Sequence, residues 1–216
     1  MSKKAIVLGS SKGIGKGIAD SLESLDLEVV RTSRKEIDTS NIESVENFIS
    51  LHKSTDILVL NTGGPPKLEF NKITKKQFED YHNQLFLGFV LMLQKLKVND
   101  DGFIFLISSY NIKEPDSALL LSNSYRLAFT SILKSLSKEF AKRNVNTINI
   151  APGPIDTERI HNLVSDINSL ESRIPLGRLG STKEIGLFVK SIIENNIKYL
   201  TGVTVNFDGG KSNFIF

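Results

Sequence analysis

The stretch KKAIVLGSSKGIGKGIADSL, residues 3–22, decides the fold. A short apolar run ends at Gly9, and a segment with apolar residues at helical spacing begins near Gly13. The pattern predicts a buried parallel strand, a glycine-rich turn and a helix. In this strand–turn–helix context, a glycine pattern indicates a site for the phosphates of a nucleotide.

The glycines of this turn have distinct expected roles. Gly9 allows a tight turn off the strand, and Gly15 permits close packing of helix against strand. Gly13 lets the helix N-terminus approach a diphosphate, whose charge is stabilised by free N–H groups and the helix dipole. The spacing G-x-x-x-G-x-G differs from the commoner G-x-G-x-x-G, and an ordinary tight turn is the alternative. The residues expected to contact a dinucleotide here are Gly9, Ser11, Lys12, Gly13, Ile14 and Gly15.

Strand patterns alternate with helical patterns along the rest of the 216 residues. The strand patterns are LEVVRTS, DILVLNTGG, GFIFLISS, VNTINIAPG and GVTVNF. This alternation predicts an α/β fold, a single doubly wound Rossmann domain over residues 1–216 with a mostly parallel sheet of about seven strands. The link after LEVVRTS is too short for the helix that usually follows the second strand.

Composition excludes several classes of function. The net charge is +3 with scattered lysines, which predicts no nucleic-acid partner. The chain has no cysteine, and its three histidines do not stand at metal-site spacing, so we expect no metal site. No apolar run could span a bilayer, and the N-terminus leads directly into the first strand. We therefore expect a cytoplasmic protein with no membrane partner.

The end of the second strand bears on the choice of cofactor. NAD sites usually place an acid there, which accepts a hydrogen bond from the ribose 2′-OH. This sequence has Ser33, Arg34 and Lys35 instead. The guanidinium of Arg34 matches a 2′-phosphate, and Lys12 could reach the same group. The sequence therefore favours NADP(H) over NAD(H), with ordinary surface cations as the alternative.

Several ordered motifs resemble those of the short-chain dehydrogenase/reductase family over nearly the whole chain. GSSKGIG resembles its TGxxxGxG motif with Leu8 in place of threonine, and NTGG at residues 61–64 resembles its NNAG. GFIFLISS, INIAPGPIDT and the segment from IPLGRLGSTKEIG to VNFDGG resemble later family segments. The resemblance implies an NAD(P)-dependent oxidoreductase that acts on a carbonyl or alcohol of a small molecule.

The resemblance also implies roles for single residues. Ser109, after the fourth strand, would polarise the substrate carbonyl. Asp38 would touch the adenine, and Ile155 and Thr157 would hold the nicotinamide amide. The remaining expected cofactor contacts are Ser33, Arg34, Asn61, Gly63 and Arg126.

The chain departs from the family at its chemistry. The family's Tyr-x-x-x-Lys falls on Ser122 and Arg126, and its relay asparagine falls on Leu85. Arg126 keeps a positive charge for the ribose. An aliphatic hydroxyl is a far weaker acid than a phenol, whose pKa is about 10, so Ser122 is a poor proton donor. The resemblance therefore predicts an atypical catalytic centre.

Two tyrosines are candidate proton donors. Tyr125 lies on the predicted helix of Ser122, on the side away from Arg126, and packing against a neighbouring helix is its alternative role. Tyr110 follows Ser109 at the carboxyl edge of the sheet, where ligands bind in such folds. Water is a third source. A catalytically impaired NADP(H)-binding protein with a sensor or structural role is the alternative function.

Two helices have more apolar surface than a sheet can cover. They contain QLFLGFVLMLQKL and the segment that begins near Ser122. The family resemblance implies that these helices form a dimer interface, and the apolar tail NFIF is a candidate for a second one. We expect a homodimer or homotetramer.

Overall fold

The computed structural model describes residues 2–215 and contains a single six-stranded sheet. Its strands are β1 (Lys3–Val7), β2 (Leu27–Arg31), β3 (Ser54–Leu60), β4 (Lys97–Ile107), β5 (Asn146–Pro152) and β6 (Val203–Phe207). The spatial order is β2-β1-β3-β4-β5-β6, and every neighbouring pair is parallel. The predicted doubly wound Rossmann architecture is confirmed.

The predicted count of about seven strands is one too high. After β2, residues 32–41 form turns and lead directly into α2 (Ile42–Leu51). This link is too short to form another helix and strand, so β2 is the edge of the sheet.

Helices cover both faces of the sheet. Successive strand residues point to opposite faces, so Ile6 packs in the core beneath α2, α4 (Gly88–Lys95) and α5 (Leu120–Ala141). Val7 packs in the opposite core, beneath α1 (Gly13–Leu22) and α8 (Thr182–Glu194). The remaining helices are α3 (Lys75–His82), α6 (Glu158–Leu163) and α7 (Ile167–Glu171).

The helix predicted to contain QLFLGFVLMLQKL is divided by a π-helical turn. Helix α3 ends at His82, the π-helical turn spans Asn83–Leu87, and α4 follows. Gly88 comes directly after this turn, where an added Cβ would lie 2.8 Å from the carbonyl oxygen of Thr39. The π-helical turn thus lies against the residues that follow β2, at the carboxyl ends of the strands, where ligands bind in such folds.

Residues 2–215 contain neither a membrane-spanning helix nor a cluster of metal ligands. None of the helices is both long and apolar enough to cross a membrane. No three histidine or acidic side chains in this part of the chain are grouped as metal ligands would be.

Candidate functional site

The glycine-rich turn after β1 is tied to the end of β3. Gly9 has a φ of +58°, a left-handed conformation that favours glycine. The Asn61 Nδ2 donates to the carbonyl oxygens of Leu8 and Gly9, at 3.1 and 3.2 Å. A Cβ on Gly15 would lie 2.3 Å from the Gly9 oxygen, so this approach of α1 to the turn leaves no room for a side chain.

The N-terminus of α1 has the features that a diphosphate requires. Gly13 has a φ of +60°, and a Cβ placed there would meet only the Thr157 side chain, with its Cγ2 at 3.5 Å. Lys12, the N-cap, has no side-chain capping bond, and Ser11 beside it is exposed. Free N–H groups and the positive end of the helix dipole therefore remain for an anion. These residues fit the diphosphate of a dinucleotide.

An acid folds back onto the end of β2. The backbone N–H and the hydroxyl of Ser33 both donate to Glu36 Oε2, at 2.6 and 2.7 Å. These bonds hold the pKa of Glu36 below its ordinary value. The sequence interpretation, which had no acid at this position, is incomplete, because the turn brings the carboxylate of Glu36 to Ser33. Arg34 is exposed beside this pair.

Lys12, expected at the same phosphate, already has a partner. Its Nζ lies 2.6 Å from Glu158 Oε2 in an ion pair whose side chains are both largely exposed. Such a pair is weak and exchanges readily with another anion. Lys12 therefore remains available to a cofactor phosphate only in competition with Glu158.

The residues expected on the adenine side are held by local hydrogen bonds. One carboxylate oxygen of Asp38 accepts from the N–H and hydroxyl of Ser40, at 3.0 and 2.7 Å. The carbonyl oxygen of Gly63 accepts from Gln84 Nε2 at 2.8 Å. Gln84 belongs to the π-helical turn and was not identified from the sequence. Its signal was a polar side chain within an otherwise apolar run.

Ser109 follows β4 and has a hydroxyl proton to donate. Its Oγ accepts from the N–H of Asn111 at 3.2 Å. Across the sheet, the buried Ile155 pairs in a β-bridge with Gly180, and Thr157 Oγ1 donates to the Ile155 carbonyl at 3.3 Å. Ser109 and this segment follow the neighbouring strands β4 and β5.

Ser122 and Arg126 form a hydrogen-bonded pair on α5. Arg126 Nη1 donates to Ser122 Oγ at 2.6 Å, and Nη2 donates to the Thr62 carbonyl at 3.3 Å. Burial, with repulsion from Arg159, lowers the pKa of Arg126 to about 9, so the guanidinium is still cationic at neutral pH. Ser122 therefore positions a cation. Leu85, in the π-helical turn, is buried and offers no polar group.

The structure argues against Tyr125 as the proton donor. Its hydroxyl donates to the Phe78 carbonyl at 3.1 Å, and its ring meets that of His82 edge-on at 5.6 Å. Tyr125 is thus engaged in packing against α3. Burial raises the pKa of Tyr125, and burial with Asp116 and Glu114 raises that of Tyr110. Neither phenol is activated as an acid.

Arg159 is a further charged residue of the site that the sequence interpretation missed. Its Nη1 and Nη2 donate to the carbonyl oxygens of Gly64 and Pro65, at 2.8 and 2.9 Å. Burial lowers the pKa of Arg159. The signal in the sequence was an arginine two residues after Thr157.

The chain is similar to a known family and to two named reductases. A family model described as Enoyl-(Acyl carrier protein) reductase matches residues 36–212. NADPH-dependent reductase BacG of Bacillus subtilis is 26% identical over 258 residues, which cover 97% of this chain and 98% of BacG. The 3-oxoacyl-(acyl-carrier-protein) reductase FabG of Salmonella typhimurium is 27% identical over 239 residues, which cover 96% of both chains.

A solved structure supports the fold independently. The crystal structure of a short chain dehydrogenase family protein from Francisella tularensis superposes with a TM-score of 0.88 at 20% identity. The match covers 98% of this chain and 99% of that chain. At this level of identity the likeness supports the fold alone.

Proposed function

This chain belongs to the short-chain dehydrogenase/reductase family, and from that premise we propose that it is an NADP(H)-dependent oxidoreductase interconverting a carbonyl and an alcohol on a small-molecule substrate. Two similar proteins, BacG and FabG, are named as reductases, and BacG is named as NADPH-dependent. The observation that carries the proposal is Ser109, which follows β4 with a hydroxyl proton free to donate.

Residues of the site divide between holding the cofactor and acting on the substrate. Gly9, Gly13, Asn61 and Thr157 frame the space for the dinucleotide. NADP(H) supplies hydride-transfer chemistry when bound. The other proposed cofactor contacts are Ser11, Lys12, Ile14, Gly15, Ser33, Arg34, Asp38, Gly63, Arg126 and Ile155.

The protein's own contribution to the reaction is electrostatic. Ser109 donates to the substrate's carbonyl oxygen, where negative charge develops during reduction. The partly buried guanidinium of Arg126 adds positive potential and holds the nicotinamide ribose. Tyr110 or water supplies the proton, since the hydroxyl of Tyr125 is engaged with Phe78. The catalytic centre is therefore atypical for the family.

We propose that NADP(H) is preferred to NAD(H), by about tenfold or more in affinity. The exposed guanidinium of Arg34 next to the Ser33 N–H suits a 2′-phosphate. Glu36 opposes this preference because its carboxylate already accepts from Ser33. A phosphate must displace that carboxylate, so Arg34 and Glu36 together set the selectivity between the two cofactors.

A turnover assay tests the function. Purified protein is mixed with NADPH and a panel of aldehydes and ketones, and the NADPH absorbance is followed while its binding is measured separately. We expect turnover, with a loss of order 10²-fold in Ser109→Ala. Ser24→Ala, at an exposed serine in the turn that follows α1, is the matched control. Binding without turnover of any carbonyl would favour the alternative, a catalytically impaired NADP(H)-binding protein, which the unactivated tyrosines also support.

We further propose a homodimer or homotetramer through α4 and α5. A groove of about 730 Å³ runs between these helices, and its apolar lining includes Val90, Leu93, Ile132, Leu136 and Phe140. Leu136→Asp should lower the mass measured by light scattering, and Leu51→Asp, at an exposed site on α2, should not. A monomeric wild type at micromolar concentration would contradict this assembly.

The apolar tail NFIF remains a candidate for a second interface. Ile215 is largely exposed, and Phe214 lies beneath Lys113 Nζ at 4.4 Å. Phe216 lies outside the described residues.

A further inference from the structure

We propose that Arg126 and Arg159 together bind a carboxylate group of the substrate. The inference rests on the proposed function, because it names the class of substrate that the same cleft accepts: a carbonyl compound or alcohol that also carries a carboxylate. Four features of the structure support it.

The two guanidinium groups lie close together beside Gly64. A Cβ placed on Gly64 would lie 2.9 Å from Arg159 Nη2 and 3.0 Å from Arg126 Nη1. The two cations approach from different elements, since Arg126 is on α5 and Arg159 is in the first turn of α6. Repulsion from Arg159 also contributes to the lowered pKa of Arg126. One small anion can therefore contact both groups.

Neither cation has an acidic partner in the described part of the chain. Within residues 2–215, no carboxylate oxygen lies within 4.0 Å of a nitrogen of Arg126 or Arg159. By contrast, Arg31, Arg143 and Arg178 all form ion pairs at the surface. Both side chains are partly buried. Removing one cation from water without a counterion is costly, and doing so for two side by side is more so. A ligand that brings a negative charge relieves both costs.

Each guanidinium still has donors to offer. An arginine carries five N–H groups in a planar fork. Arg126 uses bonds to Ser122 Oγ and the Thr62 carbonyl, and Arg159 uses bonds to the carbonyls of Gly64 and Pro65. These neutral acceptors fix the orientation of the two groups without neutralising them. The remaining N–H groups suit the two oxygens of a carboxylate.

The location of the pair fits a substrate. Arg126 is one helical turn after Ser122, and Arg159 is two residues after Thr157. The arginine pair therefore lies beside the segment proposed to hold the nicotinamide, where Arg126 itself is proposed to hold the ribose. A carboxylate held here would orient the adjoining carbonyl for reaction.

Two other roles for the arginine pair predict different experimental results. The arginines could serve only to hold the loop of residues 62–65 through its carbonyl oxygens. Alternatively, the anion that they bind could be a phosphate of the cofactor. Neither role predicts that an added carboxylate binds to protein already saturated with NADP⁺.

Matched fluorinated probes test the proposal by fluorine NMR on the full chain saturated with NADP⁺. Trifluoroacetate is compared with trifluoroacetamide, and para-fluorobenzoate with para-fluorobenzamide, since each pair differs mainly in charge. We expect at least one carboxylate to bind at least about tenfold more tightly than its amide. Equal binding of acid and amide, or no binding of either acid, would overturn the proposal.

Variants localise the binding and keep the two hypotheses apart. Arg159→Gln should weaken carboxylate binding about tenfold or more, Arg159→Lys should retain part of it, and Arg143→Gln should leave it unchanged. If Arg159→Gln weakens NADPH binding but not carboxylate binding, the pair serves the cofactor and the proposal fails. If Arg159→Gln does not fold, Arg159→Lys still decides, because unaltered carboxylate affinity would exclude a bidentate contact. NADPH titration of the wild type reports separately on the proposed function.

Discussion

The hydrogen bond between Ser122 and Arg126 predicts a measurable coupling energy. The Nη1–Oγ distance is 2.6 Å, Ser122 is only 6% exposed, and the donor is cationic. A hydrogen bond to a charged group contributes about 1.5–3 kcal/mol to stability. Ser122→Ala leaves a buried N–H of Arg126 without its acceptor, whereas in an Arg126→Met background the same change removes a hydroxyl that has lost its partner.

A double-mutant cycle isolates this energy. Unfolding by urea is measured for the wild type, Ser122→Ala, Arg126→Met and the double variant. We expect a coupling of about 1.5–3 kcal/mol, so that Ser122→Ala is much more harmful when Arg126 is present. Ser124→Ala, at an exposed position on the same helix, controls for helix propensity and should show no coupling. Additive effects, within about 0.5 kcal/mol, would refute the assignment of Ser122 as the residue that positions Arg126.

Three further predictions concern other parts of the molecule. Arg34→Asp should reduce NADPH affinity because it removes a hydrogen-bond donor to the 2′-phosphate. Glu36→Gln should increase NADPH affinity because it removes a competing carboxylate. Calorimetric titration measures both affinities. Gly13→Ala should cost about 1–2 kcal/mol in unfolding free energy because of its φ of +60°, and should also weaken NADPH binding. Hydrogen bonding with Arg178 lowers the pKa of Glu184 from 4.5 to about 2. The pair therefore stabilises the fold fully above about pH 4.5, and this stabilisation is lost as the pH falls towards 2. Glu184→Gln should therefore lower the free energy of unfolding by less than about 1 kcal/mol at pH 7, since the pair is exposed, and should not lower it near pH 2. An equal loss at both pH values would contradict the assignment.

The fold was predictable because its signals are local. In the β1–turn–α1 stretch, the apolar run predicts a strand, the glycines predict a turn and the helical spacing predicts a helix. The six strands of the sheet are the six strand patterns of the sequence, one fewer than the predicted count of about seven. Division of the long helix at Asn83–Leu87 was not predictable, since an apolar run does not distinguish a π-helical turn from an α-helix.

The site was harder to predict because its contacts join distant residues. Glu36 reaches Ser33 only because of the turn after β2, and Arg159 reaches Gly64 across 95 positions in the sequence. Tyr125 could be placed on a helix from its spacing, yet its partner on α3, the Phe78 carbonyl, is 47 residues away. Periodicity identifies a face of a helix but does not identify what packs against that face.

The turn after β1 and the end of β2 are proposed to form a site for NADP(H), and calorimetric titration of the wild-type protein decides whether they do. NADPH and NADH are titrated separately at the same pH and ionic strength, because the 2′-phosphate contact depends on salt. We expect saturable one-to-one binding of NADPH, with an affinity at least about tenfold higher than that of NADH. Equal affinities would contradict the assignment of Arg34 to the 2′-phosphate, and the absence of binding by either dinucleotide would contradict the site itself.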